Sequence, residues 1–271
     1  MKDYRELSSG ILHKMLVEQG EPIQYYLNLE DKVEMNPLIG KEIYLRWEGI
    51  IECISCQKVT KKSFGQGFCY KCFTSAPESA ECIVRPELCR AHLGEGRDPE
   101  WEERNHNQPH VVYLAVSSAV KVGVTRATQI PTRWIDQGAS AAIKLAEVPN
   151  RYEAGVLEVE LKQHFTDKTH WQKMLRNEVD ESVDLEEEKW SLEEVLPGDM
   201  LEYFSEDDEI FEFHYPVLDY PDKVRSLNFE KTDLIEGRLL GIKGQYLLFE
   251  GGAVINLRKF TGYRVSIGVL D

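Results

Sequence analysis

The pattern of apolar and polar positions changes character several times along the chain. Residues 23–29 and 42–51 carry strand-like runs, separated by the turn-prone pairs Asn36-Pro37 and Gly40-Lys41. Ahead of them Ile11, Leu12, Met15 and Leu16 fall at helical spacing and predict a short helix. Residues 94–109 are polar and proline-bearing and read as a linker or loop. From His110 onward two β-rich runs, 111–116 and 119–124, meet at Ser117-Ser118 as a hairpin. Residues 129–137 then predict a helix, with Pro131 in its first turn and Gly138 as its C′ residue. A weak third strand follows over 141–148. Asn150 with Glu153 three residues on has the form of a capping box, and Ala154, Leu157, Leu161 and Phe165 place an apolar stripe along the helix it starts. In the tail, Gly251-Gly252 separates runs 245–250 and 253–260 as a hairpin, and 263–269 supplies a further strand.

Composition narrows the class. Apolar residues make up 42% of 271, enough for a buried core. The N-terminal segment lacks the apolar region of a signal peptide, and no run approaches the ~20 apolar residues of a membrane span. The expected location is therefore cytoplasmic, with reduced thiols and no membrane partner.

In that setting the six cysteines change the picture most. Cys53-x2-Cys56 and, twelve residues later, Cys69-x2-Cys72 form two hooks of the kind that offer zinc four thiolates in a tetrahedron. A redox dithiol is the alternative use of such a pair. A second group follows, Cys82, Cys89 and His92, with His106 further on. It reads either as a second zinc site or as ordinary buried thiols and surface histidines. Both metals would be structural, since four protein ligands leave no open position for water.

The net charge of −15 is local. Between residues 178 and 212 there are 16 acidic residues against Lys189 alone, while the rest balances 31 acidic against 31 basic residues. The acidic segment reads as a solvated connector, or as a nucleic-acid mimic over a basic groove. Residues 104–176 are mildly positive. The tail interleaves Arg238, Lys243, Arg258, Lys259 and Arg264 with Tyr246, Phe249, Phe260 and Tyr263, which suits either single-stranded nucleic acid or a compact sheet with its aromatics inside.

The centre resembles a divergent GIY-YIG nuclease domain. The resemblance rests on Tyr113 in Val-Tyr-Leu, on the string Lys121-Val122-Gly123, on Arg133 in PTRWIDQG and on Glu158 in EAGVLEVELK. It implies a base at Tyr113, a phosphate-facing cation at Arg133 and a magnesium- or manganese-binding carboxylate at Glu158. Lys121 stands where the family has its second tyrosine. Phosphodiester cleavage needs these chemical types: a group to activate water, a cation for the developing charge and a carboxylate for the metal. Tyr113 as a core tyrosine, Arg133 in a salt bridge and Glu158 on a solvated face are the structural alternatives. Over most of its length the chain also resembles an uncharacterised bacterial family, a domain of unknown function, through strings such as PHVVYLA, YPVLDYPDKVRSLNFEK and GIKGQYLLFEGGAVINLRKFTGY. That resemblance implies cysteines near positions 96 and 106, where this chain has Gly96 and His106, and it favours His106 as a ligand.

The expectation is thus an α+β protein in four parts: a β-rich segment with a zinc ribbon (1–109), a GIY-YIG-like β-β-α-β-α core (110–177), an acidic connector (178–212) and a small antiparallel β module (213–271). The expected function is binding of DNA or RNA, with metal-dependent cleavage as an extension. The alternative is a non-catalytic scaffold for a protein partner.

Overall fold

The computed structural model describes residues 4–165, 170–196, 198 and 200–270. The chain forms two compact units. One is built from the chain up to Thr74 together with His214 onward, the other from Ser75–Phe213. The first segment and the tail, expected as separate parts, therefore belong to one unit.

That unit opens with β1 (Tyr4–Ile11), β2 (Leu16–Glu18), β3 (Gln24–Asn28), β4 (Lys32–Glu34) and β5 (Glu42–Ile51). The helix expected over 11–16 is absent. Leu12 and Met15 are instead fully buried plugs in an extended connection. Gln245 accepts from the Met15 amide at 2.9 Å and donates to its carbonyl at 3.2 Å, so this stretch finds partners without a helical ladder. Helix α1 (Tyr70–Ser75) follows the cysteine hooks.

The second unit runs through α2 (Pro99–His106), β6 (His110–Val116), β7 (Val120–Arg126), α3 (Thr132–Asp136), β8 (Ala141–Val148), α4 (Arg151–Lys162), α5 (Trp171–Leu175), α6 (Leu185–Glu193) and β9 (Ile210–Glu212). Its sheet has the order β7-β6-β8-β9, all antiparallel. The Asn150 side chain accepts from the Glu153 amide, as the capping pattern requires. Ala154, Leu157 and Leu161 are buried against Val112, Leu114 and Val122. Each such leucine contributes roughly 1.5–3 kcal/mol by leaving water.

The acidic segment is not a solvated strap. Asp184 caps α6, and Leu185 and Leu192, with Leu196 and Met200 beyond its end, join the core over the sheet. Lys189 is fully buried on α6, where its ammonium donates to the Asp208 carboxylate at 2.7 Å and the Asp207 carbonyl at 2.8 Å. The many acids line the outer face while a minority of leucines does the anchoring, which a charge count conceals.

The tail then returns to the first unit with β10 (Arg225–Ser226), β11 (Leu234–Lys243), β12 (Tyr246–Phe249), β13 (Ala253–Asn256) and β14 (Tyr263–Leu270). They complete a seven-stranded sheet of order β1-β14-β5-β11-β12-β13-β10, so no free-standing C-terminal module exists. Phe249, Phe260 and Tyr263 face inward at 2–5% exposure. Among the basic residues Lys243 is buried, Arg264 pairs with Glu52 and Arg258 donates to Gln66. The tail thus takes the compact-sheet form, its aromatics inside.

Candidate functional site

The first cysteine hook begins two residues past β5, and the second leads into α1. Each turn is closed by its own backbone. The Cys53 amide donates to the Lys58 carbonyl at 2.9 Å and the Gln57 amide to the Cys53 carbonyl at 2.7 Å, with Gln57 in the left-handed region at φ +59°. Phe64 and Phe68 exchange both backbone bonds at 2.9 Å and bring the second hook back against the first.

The four sulfurs of Cys53, Cys56, Cys69 and Cys72 lie within 4.8 Å of one another, and all four are free thiols. Zinc at ~2.3 Å from each sulfur requires tetrahedron edges of about 3.8 Å. The Cys56–Cys69 separation is 3.9 Å. The four thiols therefore suit a tetrahedral zinc. Electrostatics favour a thiolate as well. Burial opposes ionisation of Cys53, but amides of Cys56, Cys69 and Ser55 donate to its sulfur and bring it down to about 6. Cys72 is pushed up to about 12, first by burial and then by its bonds with the neighbouring thiols.

The second cluster differs from its expected form. Cys82, Cys89 and His106 converge, but the fourth member is Glu102, and every one of them is buried. His92 lies outside the group, its ring stacked on Tyr152 at 4.6 Å. Glu102 and His106 sit one turn apart on α2, the segment expected to be a loop. That helix starts at Asp98, whose side chain accepts from the Trp101 amide, and has Pro99 at its first position. A cap followed by Glu-x3-His was the available signal for a helical ligand pair. The mutual hydrogen bond of the two thiols holds Cys89 down at about 4 and Cys82 well above its ordinary range, so they share a proton.

Of the nuclease-like residues, Arg133 and Glu158 act electrostatically on the Tyr113 phenol. Tyr113 is 1% exposed in the central strand β6, opposite Gly123 in the register with β7, and its ring lies across that glycine. Gln137, just past α3, donates to the hydroxyl. Burial pushes the phenol above its ordinary value. Arg133 opposes this by charge and by a hydrogen bond, and Glu158 reinforces it by charge. Arg133 on α3 and Glu158 on α4 thus both bear on the charge state of this phenol. Glu158 is itself buried, paired with Lys162 at 3.2 Å. Lys121 lies half-buried on β7 opposite Ala115, on the strand face that carries Gly123. Among the described residues Glu158 belongs to neither group of clustered metal ligands.

Fold and site together define an α+β protein in which four close cysteines could hold a zinc ion. The chain belongs to the family described as protein of unknown function (DUF2797), which matches residues 40–265. No curated protein and no solved structure matches it. No helix among the described residues is long and apolar enough to cross a membrane.

Proposed function

We propose that this is a zinc-stabilised, cytoplasmic nucleic-acid-binding protein whose second unit carries a phosphodiester site of the GIY-YIG kind. The observation that carries the reading is the placement of Arg133 on α3 and Glu158 on α4, both within the electrostatic surroundings of the buried Tyr113 phenol on β6. Arg133 would face the developing phosphorane charge and Glu158 would hold a divalent cation in place of its pairing with Lys162. Tyr113, kept neutral by burial, is suited to donate a hydrogen bond rather than to serve as a free phenolate. The zinc at Cys53, Cys56, Cys69 and Cys72 would organise the first unit and take no part in chemistry.

One observation favours the scaffold reading. The Tyr113 hydroxyl is enclosed by Gln137 and Gly123, so a substrate reaches it only if Gln137 moves aside. Cleavage of a panel of DNA and RNA, branched forms included, with magnesium or manganese tests the choice. Loss of cleavage in both Glu158→Ala and Arg133→Ala, with zinc content and fold intact, is the expected outcome. No cleavage, together with no salt-sensitive shift of labelled DNA or RNA, would leave the scaffold.

A further inference from the structure

The segment between Ser75 and His106 poses a stability problem. It contains four three-residue 3₁₀ turns (Pro77–Ser79, Glu81–Ile83, Pro86–Leu88, Ala91–Leu93) and the eight-residue α2. Turns of that length have poor hydrogen-bond geometry and no intrinsic persistence. Its buried cluster consists of Ala80, Cys82, Cys89 and Ala91, with Tyr152 packed beside it. Its larger apolar side chains point outward instead: Val84 is 79% exposed, Leu93 57%, Leu88 40% and Ile83 36%. A lobe so poor in core needs a covalent or metal staple. Its cysteines are free thiols, which leaves a metal.

The chemistry at its centre agrees. Two thiols, a carboxylate and an imidazole are buried together, with Cys89 at 2% exposure, Glu102 and His106 at 3% and Cys82 at 8%. A buried carboxylate is costly unless paired, and the pairing visible here is with His106 Nδ1 at 2.5 Å. Metal distances fit as well. Ligands at ~2.3 Å for sulfur and ~2.05 Å for nitrogen, set tetrahedrally, stand about 3.6 Å apart. Cys89 Sγ lies 3.6 Å and Cys82 Sγ 4.0 Å from that same Nδ1. A metal entering between Glu102 and His106 would replace their hydrogen bond and open it by nearly ~1 Å. The Glu102 stem runs across Gly96, where a side chain would block it.

We propose that Cys82, Cys89, His106 and Glu102 bind a second zinc ion, and that this ion anchors the start of α4. The anchoring is direct. Arg151 donates to the carbonyls of Cys82 and Ile83 at 2.9 and 2.8 Å. Tyr152 stacks on His92, and Gly155 lies flush on the backbone of Pro86 and Glu87. Ordering the metal lobe therefore orders the first turns of the helix that bears Glu158. The proposal stands without the phosphodiester reading, because it concerns metal content and helix order alone.

The test starts from the wild-type chain purified without a metal-binding tag. Elemental analysis should find two zinc ions per chain. Zinc-edge X-ray absorption should average three sulfurs and one lighter ligand per metal, the mean of a four-sulfur and a two-sulfur site. Glu102→Gln and Cys89→Ser should each bring the content to one ion while Cys69→Ser retains the other. In Glu102→Gln the amides of residues 151–158 should exchange at least tenfold faster. One zinc with four sulfurs in the wild type would overturn the proposal, and so would two zinc ions in both second-site variants. Loss of the second ion in Glu102→Gln without faster exchange at 151–158 would overturn the anchoring.

Discussion

Lys243 offers a quantitative test of the first unit, independent of any ligand. It ends β11 with no exposed surface, its ammonium 5.2 Å from the Tyr215 ring and 5.4 Å from that of Tyr220. Burial brings it from the ordinary lysine value of 10.5 down to about 8. Between those values the unfolded chain holds a proton that the folded chain does not, so the lysine's contribution to stability rises with pH across that window. Below pH 8 both forms are protonated, and the full cost of about 3 kcal/mol is present. From pH 8 to pH 10 about 2 kcal/mol of it should disappear. Lys243→Met keeps the shape and removes the proton. At pH 7 the variant gains up to about 3 kcal/mol, the cost it avoids. Urea unfolding of both proteins at pH 7, 8, 9 and 10 reads the effect. The wild type should close on the variant by about 2 kcal/mol between pH 8 and 10. Tyrosine ionisation is common to both chains and cancels in the difference. Parallel curves would refute the reasoning and place the ammonium in contact with water.

The remaining predictions concern packing and metal. Gly155→Ala should destabilise the second unit by about 1–3 kcal/mol despite the gain in helix propensity, because the new methyl meets the backbone of Pro86 and Glu87; an unchanged or raised melting temperature would show that the lobe can retreat. Cys69→Ser should lose the four-sulfur zinc, and chelator should lower the urea midpoint of the wild type far more than that of the variant. Asp208→Ala should cost about 2–3 kcal/mol by stranding the Lys189 ammonium, whereas Lys189→Met should stay within about 1 kcal/mol of wild type. Equal losses in those two variants, measured by denaturant titration, would contradict this account.

What the sequence revealed was local. The Cys-x2-Cys hooks, the Asn150 cap and the strand over 42–51 are decided within a few residues, and the structure places all three where the pattern does. What it hid was relational. Nothing in residues 263–270 says that β14 inserts between β1 and β5 rather than closing a module of its own. Glu102 escaped notice because a carboxylate four residues before a histidine is ordinary on a helix; burial makes it a ligand, and burial came from packing against distant turns. His92 was drawn in by nearness to Cys89 in the chain, although a single 3₁₀ turn directs its ring to Tyr152. The acidic segment misled for the same reason, since four apolar side chains outweigh its charge once they find the sheet.

The place of β14 also bears on how the chain is made. β1 and β5 leave the ribosome early, yet the strand that joins them follows the whole of the second unit. The second unit is continuous and can fold as soon as it emerges, while β1 and both edges of β5 wait for partners still to be made. The cysteine hooks need only residues 53–72, so metal capture there can precede the sheet. During synthesis the zinc would then act as a placeholder that keeps β5 ordered until its partner strand arrives.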